Sequence, residues 1–232
     1  MKKIERNIDL GICGLHVREA DVEGGESRTI EGHACVFGQR SVNLVPWSSY
    51  REVYEVMEPG CMDDQLLRSS DVVLTSFHNN ENIMGRSYMG KGTLQLSLDS
   101  RGLLVRCELP RTSVADDILE LIRRGDITGM SFAYTADEED STNGVSYERV
   151  GKSQEGKEVW IRHVKKVTGL YDVTIAGHPA YPQTDIANRE VGEAILEAIE
   201  KPLQKEEQRL RQIENQQRAR RINRMNLSTT NY

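Results

Sequence analysis

The 232-residue chain reads as an α+β protein. It has a strand-rich body over residues 1–187 and a charged helical extension over 188–232. Three observations predict this. Short apolar runs bounded by Gly, Pro and Asn recur through the body, some with period-two alternation, which suggests antiparallel sheet with one wet face. One segment, Thr112 to Gly125, carries helix signals at both ends. After Thr184 the apolar residues switch to helical spacing in a background rich in Arg, Gln and Glu. A hydrophobic content of 38% with 28% charged residues fits a soluble core diluted by a polar appendage.

The strands are expected in order. Thr29 to Phe37 ends at Gly38, and Glu52 to Met57 stops at Pro59-Gly60. Asp71 to Phe77 is a compact apolar run ending on His78. Thr93 to Leu98 and Leu103 to Leu109 flank Asp99-Ser100-Arg101-Gly102, a loop with hairpin chemistry. Met130 to Ala136, Glu158 to Val167 and Leu170 to Ala176 complete the set. Thr112 or Ser113 caps the helix, with Val114, Ile118, Leu121 and Ile122 as its apolar positions. Arg123-Arg124 meet the negative end of its dipole and Gly125 stops it. A shorter helix is expected from Met62 to Arg68. Asp137 to Gly156 is polar, with two Gly-containing turns, and reads as a long hairpin or mobile loop. In the extension, Val191, Ala194, Ile195, Ala198 and Ile199 form a stripe that Pro202 is expected to interrupt. Leu203, Leu210 and Ile213 continue it sparsely, and Asn226 to Tyr232 read as unstructured. Such a seam suits either a solvated helix or a helix that docks on a partner.

Body and extension differ in charge. From Arg189 onward nine Lys/Arg face seven Asp/Glu, a net +2, which leaves 21 against 29 and a net −8 before it. That balance argues against nucleic acid as the main partner. Nothing reads as an apolar leader or membrane span, so a reducing cytoplasm is expected. Cys13, Cys35, Cys61 and Cys107 show no CxxC or zinc-finger spacing. Three read as small core residues, and Cys61, after Gly60, as more exposed. No metal or cofactor motif occurs, HExxH included.

Hydrolysis needs a nucleophile, a group to take its proton, and oxyanion donors. There is no GxSxG elbow, but Gly129-Met130-Ser131-Phe132 places a serine at a strand start just after the helix. A strand serine is usually structural on pattern alone. Among the histidines, His16 and His33 read as surface or sheet residues, His163 as exposed and His178 as part of a turn. His78 differs: it ends an apolar strand and precedes the polar Asn79-Asn80-Glu81-Asn82, a place where a rigid element hands a side chain to a cleft.

Six segments carry a further signal when taken together. They are Gly32-His33-Ala34-Cys35-Val36-Phe37 with Glu58-Pro59-Gly60; Val72 to His78 followed by Met84-Gly85-Arg86-Ser87; and Gly92 to Leu96 with Asp99 to Leu103. Ile122-Arg123-Arg124-Gly125-Asp126-Ile127-Thr128-Gly129-Met130-Ser131-Phe132 follows, then Leu170 to Ile175, then Pro179-Ala180-Tyr181. In this order, over about residues 28 to 184, the chain resembles the prohead maturation serine proteases of tailed phages, with the histidine block at His78 and the nucleophile block at Ser131.

That resemblance implies a fold like the herpesvirus assembly proteases: a mainly antiparallel β-barrel of about seven strands with flanking helices, here with the helical extension added. It implies a serine endopeptidase acting in the host cytoplasm, within the assembling prohead, on scaffold or capsid precursor protein and on itself. Carried over by position, Ser131 is the nucleophile, His78 the general base and Asp172 the third member. The herpesvirus relatives have histidine at that third place and many phage members glutamate, so aspartate is a departure and His178 is the runner-up. Backbone N–H groups near Ala180-Tyr181 would serve the oxyanion. Arg86 would order that region or pair with a surface acid. The implied partners are the capsid scaffold or the scaffolding domain of the major capsid protein, and a second copy as a homodimer; neither nucleic acid nor membrane is implied. The other classes are a catalytically inactive scaffold or core protein on the same fold, and a non-proteolytic binding module.

Overall fold

The computed structural model describes residues 4–7, 13–19, 26–176 and 186–229. The chain divides into two units, Met1–Arg189 and Glu190–Tyr232. In the first, β1 (Ile4–Asn7), β2 (His16–Val17), β3 (Thr29–Val36) and β4 (Arg51–Met57) precede α1 (Asp64–Ser69). Then come β5 (Asp71–Ser76), β6 (Asn79–Tyr88), β7 (Lys91–Gly92), β8 (Leu94–Leu98), β9 (Gly102–Glu108) and α2 (Ser113–Arg124). β10 (Gly129–Ala136), β11 (Val145–Lys152), β12 (Glu158–Val164) and β13 (Val167–Ala176) complete it.

These strands form a six-stranded sheet in the order β1-β10-β13-β5-β6-β7, a four-stranded sheet β2-β3-β9-β8 and a three-stranded sheet β11-β12-β4. The α+β class therefore stands; no closed barrel is found among the described residues, so the expected antiparallel barrel of about seven strands stays an expectation. Two of the pairings, β13 with β5 and β12 with β4, are parallel. Each joins strands remote along the chain, and alternation within a strand carries no information about which neighbour it takes.

β10 lies second in the six-stranded sheet. Its small and apolar sequence is buried along the whole length, with β1 on one edge and β13 on the other. Phe132 and Tyr134 stack with ring centroids 5.2 Å apart. The four-stranded sheet packs on the six-stranded one, and glycines permit the approach. A Cβ on Gly85 of β6 would stand 2.6 Å from Cys107 Sγ of β9.

Local chemistry sets the helices. The Thr112 side chain accepts from the Ala115 N–H and starts α2. At the other end Gly125 is left-handed (φ 78°), its N–H donates to the Ile122 carbonyl, and the Asp126 N–H donates to Leu121. These two bonds form a Schellman cap. The buried stripe is Ala115, Ile118, Leu119 and Ile122, so the expected Val114 instead faces solvent. Asp63 caps the short α1. In the polar stretch after β10, Asp140 Oδ1 accepts from the N–H groups of Thr142 and Asn143. β11 then pairs with β12, giving the expected hairpin. All four cysteines are free and buried, Cys61 included, against the expectation of exposure.

The second unit consists of the C-terminal helix α3 (Ile186–Thr229) from Glu190 onward. Pro202 lies within this helix and does not end it, although its missing N–H removes one helical bond. Glu197–Lys201 and Glu207–Arg211 pair at i,i+4 with the acid first, the favourable order along the helix dipole. Leu203, Leu210 and Ile213 are exposed. No helix among the described residues is long and apolar enough to cross a membrane.

Candidate active site

The Schellman stop of α2 and the short link Asp126-Ile127-Thr128 deliver the chain into β10, where Ser131 is the third residue. Met130 and Phe132 are buried on one face, and Ser131 is fully buried on the other. In the sheet register Ser131 lies opposite Thr174 of β13, and Thr174 opposite Thr75 of β5. Asn7 of β1 is opposite Ser131 on the remaining edge. One row across three strands is therefore a line of hydroxyl residues.

Asp172 lies one strand repeat along from Thr174, opposite Ala133. A register shift follows: Tyr134 pairs with Leu170, which leaves Tyr171 as the extra residue of a bulge. The bulge ends the regular pleat beside Asp172. Asp172 is buried, whereas Tyr171 is 44% exposed.

His78 comes from a two-residue turn. Ser76 pairs with Asn79, and between them Phe77 and His78 have φ of 54° and 55°. Positive φ at both central residues is what a type I′ hairpin turn requires, and Asn or Gly usually provides it. For a bulky residue that conformation costs roughly 1–2 kcal/mol. Strain of this kind concentrates at functional sites, where the surroundings must hold it. Here β13 does so: the Phe77 N–H donates to the Ile175 carbonyl at 3.0 Å. The His78 N–H donates to Thr174 Oγ1 at 3.0 Å.

The imidazole spans the other two residues. His78 Nδ1 is 2.9 Å from Asp172 Oδ1, and His78 Nε2 is 2.8 Å from Ser131 Oγ. A carboxylate only accepts, so Nδ1 carries the proton and donates. Nε2 then presents a lone pair, and the Ser131 hydroxyl donates to it. The three residues singled out by sequence are brought together within hydrogen-bond reach. The His78 side chain keeps 21% of its surface exposed, against 4% for Asp172.

The other histidines are elsewhere. His33 is buried in β3 with Nε2 2.9 Å from Asp99 Oδ2. The other oxygen of Asp99 accepts from the Arg101 and Gly102 N–H groups, closing the β8–β9 loop. The bond to His33 is the main reason the Asp99 carboxyl is held below its ordinary range. His163 is half-buried, not exposed, with Nδ1 at 2.6 Å from Glu58 and Nε2 at 3.2 Å from Glu148. His16 is exposed. His178 and the segment Ala180-Tyr181 lie outside the described residues. Arg86 pairs with Asp71 in a bidentate, exposed contact at 2.7 and 2.5 Å, the surface-acid alternative. No cluster of potential metal ligands occurs among the described residues.

Sequence reasoning missed the Phe77–His78 turn, the Tyr171 bulge and the role of Thr174. Asn79 to Asn82 read as a loop because its polar residues do not alternate; they open β6, whose first residues are exposed and offer little apolar surface to pattern. Nothing in Phe77-His78 signals a primed turn. Thr174 sits in an ordinary strand sequence.

A serine hydroxyl, an imidazole and a buried carboxylate in this order are the constellation of a serine hydrolase. The family model for the caudovirus prohead serine protease matches residues 14–199, and the chain belongs to that family. No curated protein and no solved structure matches it.

Proposed function

We propose that this chain is a serine endopeptidase in which Ser131 is the nucleophile, His78 the general base and Asp172 the residue that orients His78 and balances its charge. The observation that carries the reading is the bridging imidazole, 2.8 Å from Ser131 Oγ and 2.9 Å from Asp172 Oδ1. As Ser131 Oγ bonds to a peptide carbonyl carbon, its proton passes to His78 Nε2 and the carbonyl oxygen takes the negative charge. The imidazolium so formed is stabilised by the Asp172 carboxylate, which keeps its own charge. The intermediate collapses, the C–N bond breaks, and His78 gives the proton to the leaving amine. Water then repeats the sequence on the acyl-enzyme with His78 again as base.

Family membership supports a role in capsid maturation inside the assembling prohead. In this reading the substrates are scaffold or capsid precursor segments and the chain itself. The C-terminal extension, with its net +2 in sequence and its sparse apolar stripe, is the part suited to recruitment by scaffold or capsid protein. Oxyanion donors from the segment at Ala180-Tyr181 and a homodimeric state belong to the same reading.

The test is cleavage of purified scaffold protein by wild type and Ser131→Ala, with fluorophosphonate labelling in parallel. The expected result is loss of cleavage and of label in Ser131→Ala with an unchanged fold. Scaffold cleavage by Ser131→Ala at the wild-type rate overturns the assignment. A wild-type protein that is neither labelled nor cleaves would instead be the inactive scaffold form.

A further inference from the structure

Thr174 touches neither the Ser131 hydroxyl nor the imidazole in any hydrogen bond described above, yet it stands under both. It is fully buried and lies opposite Ser131 in the β10–β13 ladder. Its Oγ1 accepts the His78 main-chain N–H at 3.0 Å and the Thr75 hydroxyl at 2.9 Å. Thr75 is itself fully buried.

This matters because of how His78 is carried. The imidazole does not rise from a strand, whose ladder would hold the main chain. It rises from a two-residue turn in which both residues are left-handed and neither is glycine or asparagine. A turn left to its own preferences would relax towards negative φ and carry the His78 Cα with it. Its N–H groups are instead taken by β13, Phe77 by the Ile175 carbonyl and His78 by the Thr174 hydroxyl. Two residues earlier, the same strand supplies the carboxylate that holds Nδ1. The ring, through Nδ1, and the main chain of the base are thus fixed by one stretch of β13.

We propose that Thr174 is a positioning residue for the base. Its hydroxyl fixes the main chain of His78, so that Nε2 stays on the Ser131 hydroxyl while Nδ1 stays on Asp172. The inference rests on the catalytic reading above and adds a residue to it. Valine at 174 keeps the shape of the side chain but gives the His78 N–H no acceptor. Serine keeps the acceptor and loses only a methyl group.

The experiment is steady-state cleavage of a scaffold-derived peptide by the full-length wild type, Thr174→Val, Thr174→Ser and Ser131→Ala, with hydrogen exchange of the His78 amide measured on the same proteins. Misplacement of a reacting group by about 1 Å costs on the order of a hundredfold. The expected result is therefore a fall in kcat of about tenfold to a hundredfold for Thr174→Val. KM should stay near wild type, the His78 amide should exchange faster, and Thr174→Ser should recover most of kcat. Wild-type kcat in Thr174→Val overturns the proposal, as does Thr174→Ser being as slow as Thr174→Val. If Thr174→Val does not fold, Thr174→Cys, which matches serine in size and is a weak acceptor, is compared with Thr174→Ser on the same criteria. Loss of activity in Ser131→Ala with full activity in Thr174→Val removes this inference alone. Full activity in Ser131→Ala removes the catalytic reading itself.

Discussion

Ser131 and Asp172 occupy adjacent strands but not the same row: Ser131 is opposite Thr174, Asp172 is opposite Ala133, and His78 bridges the diagonal between them. The two imidazole nitrogens flank Cε1 and point away from each other, so a diagonal offset suits the ring. Under the proposed mechanism, Asp172→Asn removes the charge that balances the imidazolium and permits the wrong tautomer. The expected fall in kcat is on the order of 10⁴, with the fold retained, as read by peptide hydrolysis and circular dichroism. Asp172→Glu adds a methylene to a buried site. It is expected to lose about 1–3 kcal/mol of stability in urea denaturation through overpacking. Wild-type kcat in Asp172→Asn would remove Asp172 from the mechanism.

Phe77 is 57% exposed, and its main chain is left-handed. Phe77→Asn relieves the main-chain cost while sacrificing little buried surface, because Asn tolerates this conformation. The urea midpoint is expected to rise, corresponding to about 0.5–1 kcal/mol, with an unchanged slope. A lower midpoint would mean that the Phe77 side chain stabilises the hairpin by more than its conformation costs.

Arg162 is fully buried. Its guanidinium contacts Glu55 and Glu138, and it donates to the Tyr134 hydroxyl at 2.9 Å, tying β12 and β4 to β10. Arg162→Ala takes the Arg162 cation away from the buried Glu55 carboxylate and is expected to cost about 3–5 kcal/mol. Replacing both, Arg162→Met with Glu55→Leu, is expected to cost clearly less than Arg162→Ala alone. Equal losses in the two variants would show that packing around the guanidinium stem, not the charge pair, sets the stability.

Burial pushes the thiols of Cys61 and Cys107 up to about 12, and raises those of Cys13 and Cys35 as well. At pH 8 a thiol with a value near 12 is ionised in only about one molecule in 10⁴, and the thiolate is the reactive form. The native protein is expected to react negligibly with Ellman's reagent at Cys61 and Cys107, whereas the protein unfolded in urea is expected to react at all four cysteines. Rapid native labelling at Cys61 would contradict its burial.

Much of the local structure was legible. Thr112 and Gly125 bound a helix because a capping oxygen and a left-handed residue are needed at those places whatever surrounds them. Asp99 to Gly102 read as a hairpin loop for the same reason. The stripe of α2 was placed only in part, since Val114 and Ala115 both fit a helical period and packing chose between them. Cys61 was misjudged because a neighbouring glycine indicates a turn but not what covers it.

Ser131 and His78 were legible as candidates from their blocks, and Asp172 from its place in a resemblance. What those residues do to one another was not. Residue order along the chain indicated the strands β3, β4, β5, β8, β9, β10, β12 and β13 but not β6, and determined where α2 starts and stops and which side chains have chemistry to offer. Tertiary structure alone decided the parallel pairing of β5 with β13, the division of the strands among three sheets, the strained turn at Phe77–His78 and the hydroxyl row beside it. The physical reason is reach. Caps, turns and periodicity act over a few residues, whereas His78, Ser131 and Asp172 meet only because hydrogen-bond ladders bring distant segments into one register.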